Sequence, residues 1–185
     1  MKRLILIRHG QTDLNKQRRY CGQNDAPLND TGIWQAAETG AELACEEIDI
    51  MYTSDLPRAS RTADIISGHC KCDVVQSAEL RELDFGKFDS MTYEELMELY
   101  PDVYRDWLLD PVNKVPPEGE PLDSMRRRVE GFIEFLYKHH AEQTVAVVTH
   151  GGPLKVIKIF LGLAVDEDFW KIGHGHGEYE IIQLC

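Results

Sequence analysis

Residues Lys2–Thr12 read KRLILIRHGQT, an apolar run that ends abruptly in charged and polar residues. The four aliphatic residues Leu4–Ile7, bounded by a nearby glycine, predict a short and fully buried strand. Arg8 and His9 follow directly, and both side chains are costly to bury unless they have a task. The stretch therefore predicts a strand whose carboxyl end carries a functional site.

A second stretch far downstream repeats this design. Residues Thr144–Val148 (TVAVV) predict another buried strand, and Thr149, His150, Gly151 and Gly152 follow it. In an open parallel sheet, ligands bind beyond the carboxyl ends of the strands, where the strand order reverses. We therefore expect His9 and His150 to meet at one crevice.

The elements between these stretches alternate in type. A strand, a loop and a helix recur in order, which predicts an α/β fold, here a three-layer α/β/α sandwich with a mostly parallel central sheet. Asn29 or Asp30 is expected to cap the first long helix, whose inner face would be Ile33, Ala36, Ala37, Gly40 and Leu43. Strands are expected at 48–52, near 74–75 and, at a sheet edge, 178–184; helices at 31–44, 57–67, 122–140 and 152–161; and a polar loop at 13–28.

Composition limits the fold and the partners. The 185 residues suit a single domain, 1–185, in which about 83–117, rich in turns and aromatic residues, forms a small helical cap insertion over the crevice. A net charge of -12 argues against nucleic acid or an anionic membrane as partner. The five cysteines form no CxxC pair and indicate reduced thiols in a cytoplasmic protein. No signal peptide or membrane span is expected.

The residues expected at the strand ends suit phosphate chemistry. Two guanidiniums, Arg8 and Arg58, can bind phosphate oxygens in bidentate fashion, and Gly10 and Gly151 would let backbone N–H groups approach the anion. Neighbouring cations favour neutral imidazole, so His9 could attack phosphorus. A carboxylic acid would protonate the leaving group. The residues alone leave Glu79, Glu82, Asp84 and Asp89 open for that role.

Several other polar residues receive a structural interpretation. Arg61 and Arg81 are expected to pair with carboxylates such as Asp64 or Glu82, and Arg126–Arg128 to form a solvated helix face. His174 and His176 form an HxH motif that could bind a metal, but a mobile loop near the crevice mouth is favoured. Trp107 could belong to the core or line the leaving-group pocket with equal weight.

Four motifs together resemble the histidine phosphatase (phosphoglycerate mutase-like) superfamily. They are RHG at 8–10, SDLPRASRTA at 54–63, LRELDFG at 80–86 and THGG at 149–152. The resemblance implies that His9 is the phosphorylated nucleophile and Glu82 the proton donor. It implies that Arg8, Arg58 and His150 hold the phosphoryl group, that Asn15 contacts the phosphate, and that no metal or organic cofactor is needed.

The resemblance also favours the phosphatase branch, because the chain is short and its second motif reads HGGP. It implies a phosphoric monoester hydrolase of the histidine acid phosphatase type, most similar to α-ribazole phosphatases of cobalamin biosynthesis. The partner would be a small phosphorylated metabolite, and the oligomeric state stays open, a dimer included. The alternatives are a phosphoglycerate mutase and a catalytically silent phosphate-binding module.

Overall fold

The computed structural model describes residues 1–166, 169 and 171–184. Its sheet has the order β3-β2-β4-β1-β5. Strands β1 to β4 run parallel to their neighbours, and β5 lies antiparallel to β1 at an edge. This confirms the mostly parallel sheet and the terminal edge strand. The strands are β1 (Arg3–Arg8), β2 (Ile50–Ser54), β3 (Asp73–Ser77), β4 (Thr144–Thr149) and β5 (Tyr179–Gln183).

Helices cover both faces of the sheet, as the sandwich prediction requires. Because successive strand side chains point to opposite faces, Leu4 and Leu6 pack into one core cluster and Ile5 and Ile7 into the other. Helices α6 and α7 pack in the first cluster, and α3 in the second. The helices are α1 (Asp13–Lys16), α2 (Asp30–Glu42), α3 (Pro57–Cys70), α4 (Tyr93–Leu99), α5 (Pro101–Leu109), α6 (Leu122–His139) and α7 (Gly151–Phe160).

Helix α2 differs from its predicted orientation. Asn29 is its N-cap, as proposed, but Ile33 is 42% exposed, so its assignment to the inner face was wrong. The cause is Gly32, whose backbone lies so close to Gly10 and Gln11 that an added Cβ would overlap them. This contact turns Ile33 towards solvent. The preceding loop also contains a helical turn, α1, whose capping box joins Thr12 and Asn15.

The predicted cap segment, 83–117, contains the two short helices α4 and α5 with their flanking turns. Tyr104 and Trp107 are buried beside Phe88 and belong to the same core cluster as α6. Trp107 is therefore a core residue and does not line the crevice. Cys21, Cys45, Cys70 and Cys72 are unpaired thiols, and Cys185 lies outside the described residues. Among the described helices, none is long and apolar enough to cross a bilayer.

Candidate active site

The register of β1 and β4 brings the two histidines together. Arg8 pairs with Thr149 across the parallel ladder, and the His9 N–H donates to the Thr149 carbonyl at 3.0 Å. The next residue on each strand is a histidine, and the two ring centroids lie 5.0 Å apart. Both side chains are buried. The predicted convergence of His9 and His150 therefore follows from strand pairing.

The hydrogen bond of His9 selects its tautomer. Nδ1 lies 2.7 Å from the Gly10 carbonyl, which can only accept, so Nδ1 carries the proton. Burial lowers the pKa of His9 well below its ordinary value, and the Arg58 and Arg8 charges lower it further. The ring is therefore neutral, and the Nε2 lone pair is available as a nucleophile.

His150 has the opposite tautomer. Its Nδ1 accepts a hydrogen bond from Arg58 Nε at 3.2 Å, so Nε2 carries the proton. Burial, and then the Arg58 charge, lower the pKa of His150 well below its ordinary value. Nε2 is buried and has no hydrogen-bond partner among the described residues. A buried donor without a partner is costly, and an oxyanion beside it would remove that cost.

Arg58 is fully buried in the first turn of α3, directly after β2. Its guanidinium donates to the Cys21, Gly22 and Asn24 carbonyls, so the loop before α2 holds it in place. Arg8 donates through Nη1 to the His174 carbonyl at 2.5 Å. Burial lowers the pKa of Arg8, while the Glu82 charge opposes that shift. Two guanidiniums thus flank the imidazole pair.

Glu82 is the one of the four candidate carboxylates that lines the crevice, among the residues that the structure describes. Its oxygens accept from the Gly152 N–H at 3.1 and 3.2 Å and from the Leu83 N–H at 2.9 Å. Glycine is required at 152, because an added Cβ would overlap Glu82 Oε1. Asp84 and Asp89 instead hold loop N–H groups.

Of the other residues predicted to contact the phosphate, Gly151 and Asn15 lie at the crevice and Gly10 does not. The Asn15 carbonyl oxygen accepts from Thr12 N–H and Oγ1, which orients its amide. The Gly10 N–H, however, donates to Thr62 Oγ1 at 3.1 Å and is not available to an anion. Packing explains the glycine at position 10, because an added Cβ there would overlap the Gly32 carbonyl.

Arg81 has a carboxylate partner, as predicted, although a different one, and the prediction of a solvated helix face was wrong for Arg128. Arg81 pairs with Asp55 at 2.5 Å and not with Asp64 or Glu82. Arg128 is no solvated residue: it donates to the Arg81 and Glu82 carbonyls and to the Glu120 carboxylate. It therefore holds the backbone that carries Glu82. Nothing in the local sequence signals this, because the carbonyls come from a segment more than 40 residues away.

The crevice continues outwards as a cavity of about 230 Å³. Arg8, His9 and Glu82, which the resemblance assigns to the reaction, line it and form the predicted phosphoryl end. A second set of lining side chains, mixed cationic and apolar, forms the predicted leaving-group end, where the Lys155 ammonium lies 5.2 Å from the Phe169 ring centroid. Burial lowers the pKa of Lys155. Sequence reasoning missed this residue. The leaving-group end is lined by Arg19, Tyr20, Phe85, Leu122, Met125, Lys155 and Phe169.

Fold and crevice together define an α/β protein in which a neutral histidine lies beside arginine side chains at the ends of two parallel strands. The family model "Histidine phosphatase superfamily (branch 1)" matches residues 4–184, and the chain belongs to this superfamily.

Relatives and solved structures agree with this family. The chain is 36% identical, over all of its 185 residues and 87% of the relative, to phosphoserine phosphatase 1 of Hydrogenobacter thermophilus. The α-ribazole phosphatase of Shigella flexneri superposes with a TM-score of 0.92 at 30% identity, covering 99% of this chain and 91% of that one. A mutant phosphoserine phosphatase from Entamoeba histolytica, in complex with phosphoserine, superposes with a TM-score of 0.83 at 27% sequence identity. That superposition covers 98% of this chain and 90% of the other.

Proposed function

We propose that this chain is a phosphomonoesterase of the histidine acid phosphatase type that acts through a phosphohistidine on a small phosphorylated metabolite of the cytoplasm. The observation that carries this proposal is the complementary pair of tautomers. His9 has a lone pair on Nε2, and His150 has an N–H on Nε2. The centroids of the two rings lie 5.0 Å apart. A nucleophile beside an oxyanion donor is what phosphoryl transfer requires.

In the first step, His9 Nε2 attacks phosphorus and the bond from phosphorus to the ester oxygen breaks. Glu82 in its acid form gives its proton to the departing oxygen, and the alcohol leaves. In the second step, Glu82 as a carboxylate takes a proton from water, whose oxygen attacks the phosphohistidine. Inorganic phosphate and free His9 result, and Glu82 regains its proton.

Three groups would stabilise the charge on the transferring phosphoryl group. Arg8 and Arg58 supply two guanidiniums, and His150 supplies the buried Nε2–H. Asn15 lines the same end through its amide. Since the carbonyls of the loop before α2 already orient Arg58, little reorganisation is needed at the moment of transfer.

Replacing His9 tests the class of reaction. His9→Ala should lower the turnover of p-nitrophenyl phosphate by about 10⁴-fold or more, because the nucleophile is gone. The parent enzyme, quenched with acid during turnover of a ³²P-labelled ester, should retain label that His9→Ala does not. Undiminished turnover by His9→Ala would reject the proposal. Phosphate binding without label would indicate the silent module, and phosphoryl transfer between 2- and 3-phosphoglycerate faster than phosphate release would indicate a mutase.

Two substrates are proposed as candidates. α-Ribazole 5′-phosphate, of cobalamin biosynthesis, is supported by the structural similarity to the Shigella phosphatase. Phosphoserine is supported by the identity to the Hydrogenobacter phosphatase and by the cation Lys155, which suits the carboxylate of such a leaving group. Comparing kcat/KM for the two esters decides between them, and a value below that for p-nitrophenyl phosphate excludes either.

A further inference from the structure

His176 places a third imidazole beside His9, in a recess that adjoins the crevice. Its ring centroid lies 5.5 Å from that of His9, edge-on at 63°. Its Nε2 is buried and, among the described residues, has no hydrogen-bond partner. His150 Nε2, on the second ring that neighbours His9, has the same two properties. Among the described residues, two rings with a buried nitrogen that lacks a partner therefore neighbour the same nucleophile.

Hydrogen bonds anchor the loop that carries His176. The Gly177 N–H donates to the Arg8 carbonyl at 3.1 Å, and the Gly177 carbonyl accepts from Thr39 Oγ1 at 2.5 Å. Gly177 has a φ of +77°, and an added Cβ would lie 2.7 Å from Gln35 Cβ. The backbone that follows the His176 ring is thus held by the end of β1 and by α2.

The surroundings of His176 suit a neutral hydrogen-bonding ring. Burial lowers its pKa to about 4, and the Arg8 and Arg58 charges add to that shift. A neutral imidazole has one donor and one acceptor nitrogen. No group of three metal-ligating side chains occurs in the described part of the chain, so the HxH motif finds no third ligand there.

A role in orienting His9 does not fit the contacts. The Gly10 carbonyl already holds the His9 proton on Nδ1. A role in proton transfer to the leaving group does not fit either. Glu82 lines the crevice, whereas His176 is absent from that lining and lies in the adjoining recess, which shares Arg8, Asn15 and Arg19 with the crevice. The groups within reach of His176 Nε2 would be oxygens of the phosphoryl group.

We propose that His176 binds substrate directly, donating Nε2–H to a non-bridging phosphoryl oxygen beside Arg8, Arg58 and His150. This inference rests on the proposed function, because it assigns a further ligand to the same phosphoryl group. It predicts that the contact is made to phosphate esters of different alcohols and to orthovanadate alike, since each presents non-bridging oxygens to the same groups.

The test compares His176→Leu, which has similar bulk but no donor, with His176→Gln, whose side-chain amide can place an N–H near the Nε2 position. The readouts are the Kd for orthovanadate and the kcat/KM for p-nitrophenyl phosphate. His176→Leu should weaken both by about 10- to 100-fold, the range for a hydrogen bond to a charged group. His176→Gln should stay within about 3-fold of the parent.

His139→Leu is the matched control, because His139 is an exposed histidine at the end of α6. It should leave both values unchanged. If His176→Leu does not fold, as judged by circular dichroism, His176→Ala takes its place. Parent-like orthovanadate affinity in the donor-free variant overturns the inference while the proposed function stands. A parent enzyme that binds orthovanadate through His176 but forms no phosphohistidine overturns the proposed function and leaves this contact in place.

Discussion

The sheet end and the cap segment both contribute to the crevice, through His9 and Phe85 among others, but owe their structure to different forces. At the sheet end, hydrogen bonds of the backbone and of buried polar groups place His9, His150 and Arg58. In the cap segment, aromatic packing positions the side chains of Tyr104 and Trp107. The difference teaches that the reacting groups are set by strand register, whereas the leaving-group end is set by side-chain packing, which can change without disturbing the chemistry.

Several contacts join the loop after β1 to the cap segment, and one of them lies beside the crevice. The hydroxyls of Tyr20 and Tyr104 lie 2.9 Å apart, and Tyr20 lines the leaving-group end of the cavity. Burial raises the pKa of Tyr20, which keeps the hydroxyl protonated. The loop after β1 and the cap thus meet at a neutral hydrogen bond beside the crevice.

The largest expected effect concerns Glu82, the group between the two regions. Glu82→Gln keeps an oxygen that can accept from the Gly152 N–H but has no proton to give. We expect kcat for an alkyl phosphate to fall by about 10²- to 10⁴-fold. The fall for p-nitrophenyl phosphate, whose leaving group needs less protonation, should be smaller. Equal losses on both esters, measured by phosphate release, would contradict the acid role.

Trp107→Ala should separate the stability of the cap from the chemistry of the sheet end. The side chain is 2% exposed within the aromatic cluster, so its removal should lower the free energy of unfolding by about 3–5 kcal/mol. Because it does not line the crevice, kcat for p-nitrophenyl phosphate should stay within about 3-fold below the melting temperature. Urea unfolding measures the first quantity. Leu109→Ala, at a side chain 78% exposed, should change stability by less than about 0.5 kcal/mol.

The sheet end, and not the cap, should make stability depend on pH. His9 and His150 have folded pKa values well below those of the unfolded chain, so the unfolded state binds more protons below about pH 6.5. Their contribution is complete above that pH and is lost as the pH falls towards the folded pKa values. Each should contribute a slope of up to about 1.4 kcal/mol per pH unit.

Urea unfolding between pH 5 and 6.5 measures that slope, and His150→Asn should reduce it. The segment 83–117 contains no histidine, so cap variants such as Trp107→Ala should leave the slope unchanged. If His150→Asn leaves the slope unchanged, the burial of neutral His150 does not lower the free energy of unfolding in acid, and the prediction is wrong.

The smallest expected effect concerns Lys155, at the leaving-group end. Lys155→Met should lower kcat/KM by about 10-fold for phosphoserine, whose carboxylate it would face, and by less than about 3-fold for p-nitrophenyl phosphate. Lys138→Met, at an exposed residue of α6, is the control and should change neither value. A loss of equal size on both esters would place Lys155 at the phosphoryl end.

Local patterns were sufficient for most of the fold. Aliphatic runs ending in glycine located β1 and β4, and the 3.6-residue period located α6 with Met125, Val129 and Leu136 inward, as found. The errors occurred where a distant segment decides the outcome. Ile33 is exposed because Gly32 packs on Gly10, and Arg128 is held by carbonyls near Glu82. Neither partner is visible from the neighbouring sequence.

The sequence alone determined which reactive groups the chain has and that two histidines end two buried strands, because composition and periodicity are local properties. Only the tertiary structure decided the tautomers, since the proton on each imidazole depends on a neighbour: the Gly10 carbonyl for His9 and the Arg58 guanidinium for His150. It also decided that His176 joins them, because that placement depends on Gly177 bonding to the end of β1.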